Sequence, residues 1–391
     1  MEKEKEVWTC GWGVTLTDYA KAGLNTQHYK QKIRIKNNIR GSALRLQFSH
    51  KYGREAPLFQ KVNLSINDGK KIPVTQKGEE AIRSDAFRIS YSDEIKVEVA
   101  PGDTITIEAV LAEHTVVTDA ALIPNTSLFQ LESEGELICE EDEDYKKEFR
   151  AIPQEFHWLI GISGIEVGAK EAVPMLAFFG DSLIQIPYWI SHLMDRAFQQ
   201  CPGKLTYKNG GISGNRLLSG TVELAKDIGS MNGAAGIQRM EQDIFAGQAP
   251  EWVVILEGIN DIILPFQYGK LRELPKSENI IDGLKQCAAL CQQHNSKPIL
   301  CTLLPFQGHC CWNGISEKIR QEVNQWIRQQ GEIAYLDTDA YAADTENQRC
   351  LKAQWREADG LHLNSFGGKS LAEEMLKSEV IKSILDLQGA Y

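Results

Sequence analysis

The chain has 391 residues and a formal net charge of −11, with 42% hydrophobic and 24% charged residues. This length is comfortable for two domains, and the apolar content is sufficient for a buried core. The acidic balance, without a basic stripe, argues against a nucleic-acid partner. The sequence has no uninterrupted run of 18 apolar residues, the length that would indicate a transmembrane helix, so we expect no membrane partner.

The N-terminus, MEKEKEVWTCGWG, has charges of both signs and no apolar stretch, so we do not expect a secretory signal. Nine scattered cysteines argue against a disulfide framework. Cys301, Cys310 and Cys311 do not form a CxxC pattern, and we therefore expect no zinc site. A reducing, cytoplasmic location fits these features best.

Residues 1–168 are predicted to form an all-β domain, a jelly-roll-like antiparallel sandwich. Apolar and polar residues alternate with period two, and turn signals separate the segments, as is typical of short strands in a sandwich. The predicted strands are 29–36, 43–49, 62–66, 95–99 and 104–110. The acidic run 140–144 is predicted to be a solvated loop, because it lacks the EF-hand pattern of a calcium site.

Residues 163–174 are predicted to be a linker, and a second domain is expected over 174–391. Here apolar runs alternate with helical stretches, which predicts an α/β fold with a parallel sheet and helices on both faces. The predicted strands are 175–179, 205–208, 252–256, 298–304 and 333–336, and the predicted helices are 187–199, 278–294, 315–330 and 366–387.

Polar clusters follow several of these predicted strands. Ser182 follows the first strand, residues 209–215 follow the second, and residues 257–261 follow the third. Asp359 and His362 precede the final helix. Open α/β sheets bind ligands beyond the carboxyl ends of their strands, so we expect these clusters to meet at one edge.

The clustered residues are suited to nucleophilic catalysis. A serine hydroxyl becomes a good nucleophile when a base removes its proton, and the histidine pKa lies near neutrality. Asp359, three residues before His362, is placed to orient the imidazole while the other ring nitrogen faces Ser182. The order Ser–Asp–His therefore predicts a catalytic triad.

An oxyanion hole is also predicted, from the backbone N–H groups of Ser182 and Gly214 and the side-chain amide of Asn260. Each residue has a plainer interpretation. Ser182 is a favourable helix cap, Gly214 a backbone hinge, and Asn260 with Asp261 a turn at a strand end. His309 and Trp312, in the loop after a predicted strand, are candidate substrate contacts.

Four sequence blocks resemble those of the SGNH hydrolases, also called GDSL-type esterases. The blocks are Gly180–Leu183, Asn209–Gly214, Gly258–Asp261 and Asp359–His362, and the resemblance covers about residues 174–380. It implies a flavodoxin-like α/β/α fold and ester hydrolysis without a metal or organic cofactor.

The stretches 211–218 and 254–262 look like the bacterial two-domain esterases in which a β-sandwich precedes the hydrolase domain. Many of those relatives act on acetylated plant polysaccharides or oligosaccharides, and others are called lysophospholipases. The chain departs from many relatives in its short, apolar segment between Ser182 and Trp189, which bears on acyl specificity.

We therefore expect a serine esterase for short acyl groups, with acetyl groups on an oligosaccharide as the first choice of substrate. A lysophospholipase is the rival enzyme. A non-catalytic carbohydrate-binding protein would show a defective triad, and a flavodoxin-like electron carrier would need a phosphate-binding loop after the first strand. The sequence leaves open the alcohol, the acyl length, the role of the sandwich and whether the chain forms a homo-oligomer.

Overall fold

The computed structural model describes residues 6–53, 58–139, 154–221 and 228–389. The acidic run 140–144, predicted to be a loop, lies outside these residues. The chain divides into two compact units, Met1–Pro174 with Pro202–Tyr207, and Met175–Cys201 with Lys208–Tyr391. The assignment of residues 202–207 to the first unit was not predicted.

The first unit is built from antiparallel strands. They are β1 (Val7–Gly13), β2 (Thr17–Asp18), β3 (Leu24–Lys36), β4 (Gly41–His50), β5 (Leu58–Ile66), β6 (Ile72–Val74), β7 (Ile82–Arg83), β8 (Arg88–Tyr91), β9 (Ile95–Val99), β10 (Thr104–Leu111), β11 (Asp119–Pro124), β12 (Phe129–Cys139), β13 (Phe156–Ile160) and β14 (Ile162–Ala169). Among the described residues they form sheets in the orders β1–β14–β4–β8, β12–β3–β10–β5–β6 and β13–β11–β2, with β9 paired to β4 and β7 to β5.

The two larger sheets pack face to face through aromatic side chains. Trp12 stacks on Phe129 with ring centroids 5.3 Å apart, and Phe48 contacts Phe59 at 5.4 Å. All four rings are buried. Each contact joins a strand of one sheet to a strand of the other, as in a sandwich core. The predicted β-sandwich is confirmed.

The predicted linker 163–174 is wrong over most of its length. Strand β14 occupies residues 162–169 and pairs with β1 on one side and β4 on the other. The glycines of this strand are sites of close packing. A Cβ on Gly164 would lie 2.9 Å from Gln47 Oε1 and 3.0 Å from the Trp12 carbonyl oxygen.

The α/β part of the chain contains the remaining strands and the helices. The strands are β15 (Met175–Gly180), β16 (Thr206–Gly211), β17 (Trp252–Leu256), β18 (Lys297–Cys301) and β19 (Ala334–Leu336). The helices are α1 (Ser182–Gln185), α2 (Tyr188–Gln200), α3 (Gly236–Phe245), α4 (Ile259–Gln267), α5 (Ser277–Gln293), α6 (Gly314–Gln329), α7 (Thr338–Ala342), α8 (Ser365–Leu376) and α9 (Glu379–Gly389), with 3₁₀ turns at Ile228–Asn232, Leu271–Glu273 and Ala353–Trp355.

The strands of this sheet lie in the order β16–β15–β17–β18–β19, with β15, β17, β18 and β19 parallel. Numbered within the sheet, the order is 2-1-3-4-5, which is the flavodoxin-like order. Its topological switch point lies between β15 and β17, where ligand sites form in such sheets. The predicted α/β/α fold is confirmed.

The predicted C-terminal helix 366–387 is two helices, α8 and α9. The Ser378 hydroxyl accepts a hydrogen bond from the Ile381 N–H at 3.2 Å and so begins a new helix. Within the described residues, no helix has the length and apolar character needed to cross a membrane.

Candidate active site

Strand β15 ends in a tight junction with helix α1. A Cβ on Gly180 would lie 2.0 Å from the Leu256 carbonyl oxygen of the neighbouring strand, so only glycine fits there. Asp181 caps α1, because its Oδ1 accepts the Leu183 N–H at 2.9 Å. Ser182 is the first residue of α1 and is 8% exposed. The side chain of Asp181, rather than that of Ser182, therefore caps the helix.

Ser182, His362 and Asp359 form one hydrogen-bonded row. His362 Nε2 lies 2.8 Å from Ser182 Oγ. The other ring nitrogen, Nδ1, lies 2.5 Å from Asp359 Oδ2. The structure thus brings together a hydroxyl, an imidazole and a carboxylate, an arrangement in which a serine can be activated for acyl transfer.

Asp359 is held in its ionised form. Partial burial alone would raise the pKa of this carboxyl, but the hydrogen bond and charge of His362 hold the pKa well below its usual range. The backbone N–H groups of Leu361 and His362 also donate to Oδ1, at 2.9 and 3.0 Å. The carboxylate can therefore fix the tautomer of the ring and stabilise its protonated form.

The loop after β16 brings Gly214 to the same edge of the sheet. Gly214 has φ +70°, and a Cβ there would lie 2.3 Å from Asn232 Nδ2, so glycine is required. Asp261 accepts the N–H groups of Leu217 and Leu218 at 2.6 and 3.0 Å and so fixes the segment that follows Gly214.

Two backbone donors remain available at this edge. Among the described residues, the N–H groups of Ser182 and Gly214 have no hydrogen-bond acceptor. The first N–H groups of a helix lack intrahelical partners, which explains the open donor at Ser182. Both groups are therefore available to a bound oxygen atom.

Asn260, near the start of α4, is closely engaged. Its Nδ2 donates to the Asn215 carbonyl at 3.0 Å and to Asp181 Oδ2 at 3.2 Å. The amide hydrogens are thus used within the protein, which the sequence did not predict. The role of Asn260 in an oxyanion hole stays a prediction.

A small, mainly apolar cavity adjoins the hydroxyl of Ser182. It is lined by Ser182, Leu183, Ile186, Tyr188, Trp189, His362 and Leu363. The space that a water molecule's centre can take up is about 10 Å³, which is room for about one water-sized group. The short segment between Ser182 and Trp189 thus forms a wall of this cavity.

Residues 178–369 match the sequence model of the GDSL-like lipase/acylhydrolase family. This region belongs to that family. Because the family is one of acyl-ester hydrolases, the protein is a carboxylic ester hydrolase.

Solved structures show similar proteins, whereas no curated protein matches the chain. A GDSL-like lipase from Bacteroides thetaiotaomicron is 18% identical, with 54% of this chain and 88% of that chain covered and a TM-score of 0.39. A catalytic mutant of an acetylxylan esterase from Geobacillus stearothermophilus is 19% identical, with 52% and 93% covered and a TM-score of 0.40.

The acylhydrolase region also contains a buried arginine that sequence reasoning missed. Arg239 donates to the carbonyl groups of Gly180 and Gly210, each at 2.8 Å, and to Asn215 Oδ1 at 2.7 Å. It therefore ties the ends of β15 and β16 to the Gly214 loop. The sequence offered one signal for this arginine, namely its spacing on α3, four residues before Asp243, with which it forms a buried ion pair.

Buried carboxyls of the acylhydrolase region have raised pKa values. Burial raises the pKa of Asp181 to about 7 and that of Asp261 to about 6. Burial, with the charge of Asp181, also raises the pKa of Glu257 well above its usual value. Low-dielectric surroundings disfavour the charged form of each group, and the backbone N–H donors of Asp181 and Asp261 only partly offset this.

The predicted substrate contacts lie in one loop after β18. A Cβ on Gly360 would lie 2.8 Å from the His309 backbone nitrogen, so this loop touches the turn between Asp359 and His362. The indole nitrogen of Trp312 donates to Glu317 Oε2 at 3.2 Å, on the first turn of α6. Contact of His309 and Trp312 with substrate stays a prediction.

Proposed function

We propose that this ester hydrolase uses Ser182 as nucleophile, His362 as general base and acid, and Asp359 as the orienting carboxylate. The observation that carries the proposal is the position of His362, within hydrogen-bond distance of Ser182 Oγ through Nε2 and of Asp359 through Nδ1. A general base is assigned first by its hydrogen-bond distance to the group it deprotonates and only then by its pKa.

In the first half-reaction, His362 Nε2 takes the proton of Ser182 as Oγ attacks the ester carbonyl carbon. The resulting tetrahedral intermediate carries its negative charge on the former carbonyl oxygen. His362 then gives the proton to the leaving alcohol, and an acyl-serine forms. In the second half-reaction, water attacks this acyl group with His362 again as base, and the acid and free Ser182 are released.

The oxyanion is expected to receive hydrogen bonds from the N–H groups of Ser182 and Gly214. Asn260 can add a third only by giving up one of its present acceptors. The longer bond, 3.2 Å to Asp181 Oδ2, is the one we expect to yield. Each such donor is worth about 10²–10³ in kcat.

The size of the cavity beside Ser182 supports a short acyl group. An acetyl group places one methyl beyond the carbonyl carbon, and this is close to the water-sized space between Ile186, Tyr188 and Trp189. A longer acyl chain would need one of these side chains to move. The cavity therefore favours acetyl esters over long acyl esters.

For the alcohol, we infer an acetylated oligosaccharide. The inference is based on the sequence resemblance of blocks 211–218 and 254–262 to two-domain bacterial esterases that act on such substrates. All nine cysteines are unpaired, which supports the cytoplasmic location inferred above. An oligosaccharide taken up by a cell is then a more suitable substrate than a polymer.

The first experiment compares hydrolysis of p-nitrophenyl acetate and p-nitrophenyl octanoate by wild type, Ser182→Ala and Ser383→Ala. Ser383 is an exposed serine of α9 and serves as the matched control. We expect a preference for acetate, a fall in kcat of at least about 10⁴-fold for Ser182→Ala, and no change for Ser383→Ala. Activity that survives in Ser182→Ala would refute the assignment of the nucleophile.

The substrate is tested by acetate release from acetylated oligosaccharides, with lysophospholipid as the competing substrate. Faster turnover of the acetylated sugar supports the proposal. No acetate release from any acetylated oligosaccharide, or a preference for octanoate and lysophospholipid, would reject it while leaving the catalytic residues in place.

A further inference from the structure

The loop after β18 carries a histidine and two cysteines in consecutive positions. One potential ligand atom from each of His309, Cys310 and Cys311 lies within 4.8 Å of the others. In the described part of the chain, no other three His, Cys, Asp or Glu residues meet in this way. Cysteine spacing alone gives no zinc pattern here, but His309 adjoins Cys310 and Cys311 in the sequence and supplies a third potential ligand.

The two sulfur atoms already have a suitable separation. Cys310 Sγ and Cys311 Sγ are 3.8 Å apart. Zinc–thiolate bonds are about 2.3 Å long, so two thiolates at a tetrahedral angle lie about 3.8 Å from each other. An ion can therefore bind both sulfurs without a large change in the positions of their side chains.

The loop is ordered by its own hydrogen bonds. The His309 N–H donates to the Phe306 carbonyl at 3.0 Å, and the Trp312 N–H donates to the His309 carbonyl at 2.9 Å. The Cys311 carbonyl accepts from Asn313 Nδ2 at 3.3 Å, at the start of α6. Because the backbone of this loop is already ordered, little conformational entropy would be lost when an ion binds.

The ring of His309 has one unprotonated nitrogen, which is its potential ligand atom. Its Nδ1 accepts the Cys311 N–H at 3.2 Å, which requires an unprotonated nitrogen there. A cation bound at Nδ1 would take the place of this hydrogen bond, and imidazole nitrogen with thiolate is a ligand set typical of zinc.

We propose that His309, Cys310 and Cys311 form a binding site for a thiophilic divalent cation, for which zinc is the best fit. The exposed Cys310 gives the ion access from solvent, and Cys311 is buried beneath it. Each thiol releases one proton to solvent as it binds, and a fourth coordination position is open to water. Bound in this way, the ion restrains the loop that borders the Asp359–His362 turn.

The test is a titration of the reduced full-length protein with cobalt(II), followed by competition with zinc. Thiolate-to-cobalt charge-transfer absorption reports sulfur ligands directly and does not depend on esterase activity. We expect one ion per chain, displacement of cobalt by zinc, and a rise in the thermal midpoint when zinc is present.

The variants are Cys310→Ser and Cys311→Ser, with Cys139→Ser as control. Cys139 belongs to the first unit, where its thiol donates to the Ala22 carbonyl at 3.5 Å. We expect each loop variant to lose the absorption and to bind at least about 100-fold more weakly, since even an outer partner of a metal ligand is worth about 10–100-fold. The control should match wild type.

Two results would overturn the proposal. One is a wild-type titration without thiolate-to-cobalt absorption, and the other is absorption that persists in Cys310→Ser. Because Cys310 is exposed, its substitution should not prevent folding, and a far-UV circular dichroism spectrum checks this. Neither result depends on whether the esterase proposal is correct.

Discussion

Asp359 Oδ2 lies against His362 Nδ1, which leaves the other ring nitrogen facing Ser182. Its two oxygens have separate tasks: Oδ2 pairs with the imidazole, and Oδ1 accepts backbone N–H groups of the turn. An asparagine could keep the second task through its own Oδ1 but would place an N–H donor opposite His362 Nδ1. The ring would then be stabilised in the wrong tautomer.

We therefore predict that Asp359→Asn lowers kcat on p-nitrophenyl acetate by about 10³–10⁴-fold with little loss of stability. Steady-state kinetics and urea unfolding measure the two effects. Asp344→Asn, in a turn where Oδ1 likewise accepts backbone N–H groups, is the control and should retain activity. A kcat for Asp359→Asn within tenfold of wild type would contradict the assigned role.

At the same scale, the identity of a polar residue was easier to predict than its hydrogen bonds. That Ser182, Asp359 and His362 lie together could be predicted from their chemistry and their order in the chain; their catalytic roles stay a prediction. The engagement of Asn260 with Asp181 and Asn215 depends on three segments that are distant in sequence. Sequence spacing carries no information about such a contact.

At the scale of elements, the segment that joins α1 to α2 forms part of the wall of the cavity beside Ser182. Helix α1 ends at Gln185, and Ile186 is its C-cap. The Trp189 indole nitrogen donates to the Leu183 carbonyl at 2.7 Å, and this hydrogen bond links α2 to α1 across the segment. The wall formed by Ile186 and Tyr188 is thereby held close to Ser182.

We predict that Ile186→Ala raises the ratio of kcat/KM for p-nitrophenyl octanoate to that for p-nitrophenyl acetate by about tenfold. Removal of side-chain carbons that line the cavity opens space, and one methylene group in an apolar site is worth about 1–3 kcal/mol of discrimination. Ile315→Ala, an exposed isoleucine on α6, is the control and should leave the ratio unchanged. An unchanged ratio in Ile186→Ala would mean that the acyl group binds elsewhere.

Most long elements could be predicted because burial on one face leaves a clear period in the sequence. Strand β17 matches its prediction at 252–256, and α6 differs from the predicted 315–330 by one residue at each end. Strand β14 was missed because its small residues, Gly164 and Gly168, are selected by tight packing between two neighbouring strands. Packing of that kind is a property of the folded sheet and leaves no periodic signal.

For the molecule as a whole, the acylhydrolase region buries a cluster of ionisable side chains. Arg239 lies against Asp243 and within 3.7 Å of Glu257, while Asp181 and Asp261 are also buried. This arrangement could not be predicted, since a carboxyl at a strand end looks the same in sequence whether it is solvated or buried. Its consequence is a dependence of stability on pH.

The free energy of unfolding should fall between pH 5 and pH 8 because of these carboxyls. The pKa of Asp181 is about 7 in the folded chain against an ordinary 3.8, so the folded state keeps a proton that the unfolded state has released. Stability from this group is complete below pH 4 and is lost as the pH rises to about 7. Asp261, with a pKa of about 6, acts in the same direction.

Asp181→Asn isolates this effect, because the amide cannot ionise. At each pH, the free energy of unfolding of wild type is subtracted from that of the variant. This difference should be about 1–3 kcal/mol larger at pH 8 than at pH 5, since each pKa unit is worth about 1.4 kcal/mol. The lowered pKa of His309 makes stability rise with pH instead, but this effect is the same in both proteins and cancels in the difference. Urea unfolding at the two pH values measures the change, and Asp282→Asn, at an exposed position on α5, should show none. An equal pH dependence in wild type and Asp181→Asn would show that Asp181 is already ionised at pH 5.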